Sequence, residues 1–226
     1  MTLTCVGLVV WATIIGQARN FQQEPNIGTR GPSTIEDFKA GDGYREPYQK
    51  ATGILKALGA TNGDWVADGG AGSGYYTLRL SSIVGPEGKV LAEDISDSSM
   101  RLLKTRTNVF GLQNVEIVKG DADNPKLPPD RLAAVLVVDT YHHFDYVQQM
   151  LDHMLHALKP GGRMVIADYS RREDHGRARA DQLKRHEINP SIVRGEVEQA
   201  GFRVLSCDEE FLTRRVTRGP SKVISG

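Results

Sequence analysis

The sequence predicts an α/β fold with a mostly parallel seven-stranded sheet and helices on both of its faces. From residue 34 onward, short apolar segments alternate with segments whose apolar residues recur at helical spacing. That alternation is typical of parallel strands joined by crossover helices. A glycine-rich loop, residues 69–74, joins one predicted strand to the helix that follows it. Sheets of this kind bind ligands at the carboxyl ends of their strands, where this loop would lie.

The order of the predicted elements is strand, then helix, along most of the chain. We predict strands over residues 65–68, 89–94, 115–118, 133–138, 164–167 and 202–206, with a last one near 215–224. We predict helices over residues 44–58, 75–84, 97–110, 147–158 and 190–200. The clearest helical period belongs to residues 147–158, and the last helix has a capping Asn189 followed by Pro190 at its first position.

The length and composition are typical of a single domain, and its positive and negative side chains are equal in number. The chain has 226 residues, of which 39% are hydrophobic, enough for one domain with a sizeable core and a short appendage. It carries 28 Lys and Arg and 28 Asp and Glu, so no positive excess points to nucleic acid as a partner. Cys5 and Cys207 are far apart in the chain and imply neither a disulfide framework nor a zinc-binding pattern.

Residues 1–33 are predicted to be a hydrophobic leader and a polar linker, and residues 34–226 the folded domain. The apolar run 6–15 is too short to span a bilayer, which takes about 20 apolar residues. It has the length of the apolar region of a signal peptide, but no Lys or Arg precedes it, so a buried N-terminal helix is the alternative. We expect a cytoplasmic protein without a stable membrane span, with an exported or membrane-tethered form left open.

The motif that best indicates which ligand the chain binds is Asp68-Gly69-Gly70-Ala71-Gly72-Ser73-Gly74. Glycines allow the backbone to turn sharply and to approach a ligand closely. A dinucleotide fingerprint has a third glycine in GxGxxG, and that position is Tyr75 or Thr77 here, which disfavours NAD. Asp68, at the end of the strand, is a poor neighbour for a pyrophosphate. It suits a ligand with a cationic amine, such as S-adenosylmethionine.

Four segments of the chain resemble the class I S-adenosylmethionine-dependent methyltransferases, which have a Rossmann-like fold. These segments are VADGGAGSG, KVLAEDIS, VKGDADNPKLP and ALKPGGRMVIADY. The resemblance covers about residues 44–208. It implies that Asp94 holds the ribose hydroxyls and that Asp121 and Ala122 face the adenine. Glu93 stands where the family usually has an apolar residue, and it could compete with Asp94. The predicted cofactor-binding residues are Asp68, Gly70, Gly72, Gly74, Asp94, Ile95, Asp121, Ala122 and Asp139.

Three histidines are the candidate catalytic residues on the acceptor side. His142 and His143 follow the predicted strand 133–138, and His186 lies in residues 170–188, which could form a lid. An imidazole can accept a proton from a hydroxyl, thiol or amine near neutral pH. Because adjacent side chains tend to point in different directions, we expect one of His142 and His143 to face the pocket. The segment RHEINPSIVRGEVEQAGF resembles that of a group of bacterial predicted small-molecule methyltransferases.

We predict no metal ligands, with one alternative. Asp139 and Asp168 end neighbouring predicted strands, and this layout resembles the catechol-type O-methyltransferases, in which carboxylates at these strand ends bind magnesium. Two departures weaken the resemblance. Tyr169 stands at the place of a second oxygen ligand, and a histidine replaces the lysine that serves as base in that family.

The sequence therefore predicts methyl transfer from S-adenosylmethionine to an oxygen, nitrogen or sulfur atom of a small molecule. No Asn-Pro-Pro-Tyr motif follows the strand 133–138, which argues against the adenine-N6, cytosine-N4 and glutamine methyltransferases. The alternatives are a non-catalytic module that binds S-adenosylmethionine and, third, an NAD-dependent oxidoreductase. The acceptor and the oligomeric state do not follow from the sequence.

Overall fold

The computed structural model describes residues 8–14, 32–172, 175–209 and 211, which form one α/β sheet with its helices. The strands are β1 (Leu8–Ile14), β2 (Trp65–Gly69), β3 (Lys89–Asp94), β4 (Val115–Lys119), β5 (Leu132–Val138), β6 (Leu158–Tyr169) and β7 (Arg203–Asp208). The helices are α1 (Ile35–Gln49), α2 (Ala51–Leu58), α3 (Tyr75–Val84), α4 (Asp97–Val109), α5 (Val147–Ala157), α6 (Arg179–Leu183) and α7 (Pro190–Gln199).

The described strands lie in the order β4-β3-β2-β5-β6-β1-β7, and every described pairing is parallel. Successive side chains of a strand point to opposite faces, so both faces of the buried strands carry apolar residues. Val135 and Val137 of β5 pack with α5 and α7, whereas Leu136 packs with α2 and α3 on the other face. The predicted α/β class, with helices on both faces, is confirmed.

Six of the predicted strands are present, and their ends differ by a few residues. The largest change is in β6, which begins at Leu158 and runs through the Pro-Gly-Gly segment where the sequence predicts a turn. The seventh predicted strand, near residues 215–224, lies outside the described residues, so the predicted count stays a prediction. The predicted helix 44–58 is α2 together with the end of α1, because Lys50 adopts a left-handed conformation (φ 41°) between them.

Strand β1 occupies the apolar run near the N-terminus. It pairs in parallel with β6 on one side and with β7 on the other. Leu8–Ile14 is therefore a strand and not the N-terminal helix that is one alternative from the sequence. A short apolar run rich in β-branched residues fits a buried strand as well as it fits a leader, and periodicity does not separate them. In the described part of the chain no helix is long and apolar enough to cross a membrane.

Helix α1 is joined to the glycine loop through one buried arginine. Arg106 of α4 is 2% exposed, and its Nη2 lies 2.8 Å from Asp42 Oδ1 of α1. Its Nη1 also donates to the carbonyl oxygen of Gly74 (3.2 Å). The guanidinium lies 4.4 Å from the centre of the Phe38 ring, a cation–π contact. Arg106 thus fixes α1 beside the carboxyl ends of β2 and β3.

Candidate functional site

A cavity of about 530 Å³ lies at the carboxyl ends of β2, β3 and β5. This is the edge at which open parallel sheets bind ligands. Of the predicted site residues, those that line the cavity are Asp68, Gly70, Gly72, Asp94, Ile95, Asp121, Ala122, Asp139 and His143. Gly74, His142 and His186 are not among the lining residues.

The glycine loop has the conformation that the sequence predicts for it. Gly70 and Gly72 have positive φ angles of 69° and 57°, which side chains other than glycine rarely adopt. A Cβ atom at position 70 would also overlap the side chain of Thr140, so the loop and the end of β5 approach closely. Gly74 has a packing role instead, because a Cβ there would lie 2.6 Å from Leu103 Cδ1.

Three carboxyl groups meet beside this loop. Asp68 is 3% exposed and accepts a hydrogen bond from Thr77 Oγ1 (2.6 Å), and burial raises its pKa to about 6. Glu93 is 2% exposed, and burial raises its pKa to about 7, with the neighbouring Asp94 and Asp68 adding to the shift. Among the described residues, Arg45 is a cation that lines the cavity, and it lowers the pKa of Asp68 by less than burial raises it. The cluster therefore favours a positively charged ligand.

Asp94 is held at the cavity by the backbone. Its Oδ2 accepts from the Gly72 N–H (2.8 Å) and its Oδ1 from the Ser96 N–H (2.7 Å). A carboxylate has about four lone-pair sites, so both oxygens can still accept hydroxyl donors. Asp94 is thus a preorganised acceptor for two hydroxyl groups.

Other buried polar atoms at the cavity are available to form hydrogen bonds with a ligand. Among the described residues, Glu93 Oε1, Gln49 Oε1 and Tyr76 Oη are buried without a hydrogen-bond partner, and all three residues line the cavity. Unpaired buried polar groups are costly, and a ligand that pairs with them removes that cost. Ile95 is 55% exposed at the same cavity and offers an apolar surface. Cationic groups, hydroxyls and an aromatic ring, the parts of S-adenosylmethionine, therefore fit the residues present.

The two neighbouring histidines take different positions. Tyr141–His143 forms a 3₁₀ turn after β5. His143 is exposed and lines the cavity, whereas His142 is 2% exposed and lies behind it, with ring centres 4.0 Å apart. His142 Nδ1 lies 2.8 Å from Asp168 Oδ1, and the His142 N–H donates to Asp168 Oδ2 (3.0 Å). Asp168 has no exposed surface, so it sets the orientation of the His142 ring.

His186 approaches the same group from the segment after β6. Its Nδ1 lies 3.3 Å from His142 Nε2, and its ring centre lies 5.2 Å from that of His143. The structure therefore brings the three predicted histidines together. Asp139, which lines the cavity, adopts a positive φ of 55° at the end of β5.

Several residues that line the cavity are outside the predicted site, among them Arg45, Gln49, Ser99 and Asp145. Asp145 has a local signal, because it closely follows the end of the predicted strand 133–138. Arg45 and Gln49 lie on α1, which precedes the glycine loop by about two elements, and no spacing in the sequence marks them as neighbours of that loop.

Comparison with known proteins adds sequence relatives. Residues 66–162 match the sequence model of a family described as methyltransferase domain. The ubiquinone/menaquinone biosynthesis C-methyltransferase UbiE of Ectopseudomonas mendocina is 32% identical over 118 residues, which are 52% of this chain and 46% of that protein. The chain thus spans about half the length of the curated relatives that it matches.

Solved structures share the fold. A SAM-dependent methyltransferase from Aquifex aeolicus has a TM-score of 0.63 at 26% identity, over 74% of this chain and 86% of that one. Phosphoethanolamine N-methyltransferase 2 of Haemonchus contortus, in complex with phosphomonomethylethanolamine and S-adenosylhomocysteine, has a TM-score of 0.56 at 16% identity. That match covers 74% of this chain and 42% of the other, and it concerns the fold alone.

Proposed function

We propose that this chain, whose residues 66–162 match a methyltransferase-domain family, is an S-adenosylmethionine-dependent methyltransferase of class I that transfers a methyl group to a small-molecule acceptor. One observation carries the proposal. The same cavity joins a glycine loop with three buried carboxyl groups on one side to an exposed imidazole on the other. The first set suits the donor of the methyl group and the second suits its acceptor.

The cofactor half of the cavity would hold S-adenosylmethionine through charge and hydroxyl contacts. When bound, this cofactor supplies an electrophilic methyl group on a positively charged sulfur. Asp68 and Glu93 would compensate the positive charges of the ligand, and Asp94 would accept from the ribose hydroxyls. Ile95, Asp121 and Ala122 would surround the adenine. Gly70 and Gly72 leave the backbone accessible to the ligand.

On the acceptor side, the chain aligns the acceptor and removes its proton. His143 lines the cavity, so its imidazole is the group in reach of a bound acceptor. His142, oriented by Asp168, supports it from behind. General-base assistance of this kind contributes about 10²–10⁴-fold to a rate. The curated relatives are named as C-methyltransferases, so we add carbon to oxygen, nitrogen and sulfur as a candidate acceptor atom.

Partners and location follow from the same chemistry. We expect a small molecule and not nucleic acid as the acceptor, because the chain has 28 positive and 28 negative side chains and no basic excess. We place the protein in the cytoplasm, because S-adenosylmethionine is made in the cytosol.

A methyl-transfer screen tests the proposal. The full chain would be incubated with S-adenosylmethionine carrying a tritiated methyl group and with a mixed metabolite extract, and labelled products identified by mass. We expect a labelled small molecule whose yield at limiting S-adenosylmethionine falls in Asp94→Ala. Cofactor binding with no product from any extract would favour a non-catalytic binding module. Binding of NAD without S-adenosylmethionine would favour an oxidoreductase.

A further inference from the structure

Three imidazole rings from two distant parts of the chain converge beside the cavity. Ligand-type nitrogen atoms of His142, His143 and His186 all lie within 4.8 Å of one another. His142 and His143 come from the turn after β5, and His186 from the segment between α6 and α7. A set of three histidines with no carboxylate in it is a typical ligand set for zinc and related transition metals.

Two facing ring nitrogens of the cluster lie at a separation that is also found between two ligands of one ion. His142 Nε2 and His186 Nδ1 lie 3.3 Å apart. Two nitrogens bound to one tetrahedral zinc at about 2.0–2.1 Å lie about 3.3–3.4 Å apart. The two nitrogens therefore already have the separation that a tetrahedral ion requires, and binding of the ion would replace the hydrogen bond between the two rings.

Asp168 completes the pattern from the other side of the His142 ring. Its Oδ1 lies 2.8 Å from His142 Nδ1, so this carboxylate accepts the Nδ1 proton and leaves the lone pair on Nε2, toward His186. Metal-binding histidines commonly have such a carboxylate on the second ring nitrogen. Asp168 Oδ1 also accepts from the Tyr169 N–H (2.8 Å) and Oδ2 from the His142 N–H (3.0 Å). Both oxygens thus serve protein donors, which disfavours Asp168 as a direct magnesium ligand.

His186 is held in place by the backbone around it. It has a positive φ of 55°, an unfavourable conformation for a residue other than glycine. The next residues are fixed, because the Ile188 N–H donates to the Tyr169 carbonyl (2.8 Å) and the Asn189 N–H to Gln182 Oε1 (2.6 Å). Strain retained in this way is a frequent feature of ligand-binding sites.

We propose that His142, His143 and His186 bind one divalent transition-metal ion of the zinc class, with its open coordination position toward the cavity. Three protein ligands and one open position are the pattern of zinc sites that bind a further group. His143 sets that direction, because it belongs both to the cluster and to the cavity wall. The fourth ligand rests on the proposed function: it is an acceptor oxygen or sulfur, whose proton passes to solvent as the atom coordinates. In that metal-bound state His143 is a ligand, and the ion takes the place of its imidazole in activating the acceptor.

Cobalt(II) titration of the chelator-treated full chain tests this site without requiring methyl transfer. Tetrahedral cobalt gives visible absorption bands, which we expect to saturate at one ion per chain. His186→Gln should weaken binding at least 100-fold, and Asp168→Asn about 10–100-fold through loss of ring orientation. The matched control is His153→Gln, which removes an exposed histidine of α5 outside the cluster and should bind as the wild type does.

The affinity for S-adenosylmethionine is measured on the same samples. It shows whether each variant is folded, and it tests the proposed cofactor independently of the metal ion. His186→Gln should keep this affinity within about 2-fold, since His186 does not line the cavity. The site is refuted if the wild type takes up no cobalt or zinc at 100 µM (roughly the concentration of weak adventitious binding), or if His186→Gln binds as the wild type does. Loss of binding in Asp139→Asn with His186→Gln unaffected would also refute it, because the ion would then belong to Asp139, His142 and Asp168.

Discussion

The cofactor half and the acceptor half of the cavity are built in different ways. The cofactor half uses the loops after β2 and β3, in which neighbouring residues act together: the Gly72 N–H binds Asp94, and the Gly70 N–H lies 3.3 Å from Glu93 Oε2. The acceptor half draws on residues 139–145, on Asp168 and on His186, which only the fold brings together. A short motif can encode the first half, whereas the second exists only after the chain has folded.

The two halves also differ in how their buried charges are satisfied. Asp168 is fully buried, but His142 and two backbone N–H groups satisfy its oxygens. Asp68 and Glu93 are equally buried beside each other, and burial raises their pKa values to about 6 and about 7. The carboxylate of the acceptor half is therefore satisfied within the chain, whereas the raised pKa values of Asp68 and Glu93 favour a positively charged ligand in the cofactor half.

The largest expected effect separates chemistry from cofactor binding. His143→Ala should slow methyl transfer by about 10²–10⁴-fold and leave S-adenosylmethionine affinity within about 3-fold, because the group lost lies on the acceptor side. Single-turnover transfer and calorimetry measure the two quantities. With saturating S-adenosylmethionine at every pH, the wild-type rate should fall at low pH, where a protonated imidazole cannot accept a proton, and the variant should not show this fall. His153→Ala is the control, and a rate like that of the control would remove His143 from the mechanism.

The next effect concerns the sheet on the acceptor side. Strand β1 pairs with β6 and β7, whereas β2, β3 and β4 on the cofactor side do not contact it in the sheet. Deleting residues 1–20 should therefore lower the thermal midpoint by about 10 °C, as loss of about 3 kcal/mol would in a chain of this size. An unchanged midpoint would support the separate leader and linker that the sequence predicts for residues 1–33.

A smaller effect is expected for the ribose contact. Asp94→Ala should weaken S-adenosylmethionine binding about 10–100-fold, since a hydrogen bond to a charged group is worth about 1.5–3 kcal/mol. Calorimetry measures it, with Asp97→Ala as the control because Asp97 is exposed three residues further on. If Asp94→Ala binds normally and Glu93→Gln does not, the ribose role belongs to Glu93.

The smallest effect is a pH dependence of stability. The pKa of Glu93 is raised from 4.5 to about 7 in the folded chain, so folding favours its protonated form. The stability that this group contributes is fully present below pH 4.5 and is lost as the pH rises through 7. Glu93→Gln should therefore be more stable than the wild type at pH 8, by about 1–2 kcal/mol, and similar to it near pH 4.5. Urea unfolding at both pH values measures this, with the exposed Glu116→Gln as the control; equal stabilities at pH 8 would contradict the raised pKa.

The sequence predicts the cofactor half of the cavity better than the acceptor half. The glycine loop, the place of Asp94 after a strand and six of the seven predicted strands come from local patterns, and the structure has them. Strand β1 lies in the run that the sequence predicts as a leader, because a short apolar run has no period that separates the two. Gly74 belongs to the motif but packs on Leu103, because a motif does not tell which of its glycines face the ligand. The contacts from His142 to Asp168 and to His186 span 26 and 44 residues, and no spacing rule connects such distant positions. The break at Lys50 depends on one left-handed residue with no glycine to mark it.

Calorimetry of the full chain with S-adenosylmethionine tests whether the glycine loop and its carboxyl groups bind this cofactor. We expect one ligand to bind per chain, with no competition from NAD. We also expect weaker binding at pH 5.5 than at pH 7.5, because Asp68 and Glu93, with pKa values of about 6 and about 7, must ionise to face a cation. Binding of NAD, with no heat from S-adenosylmethionine at either pH, would contradict this expectation.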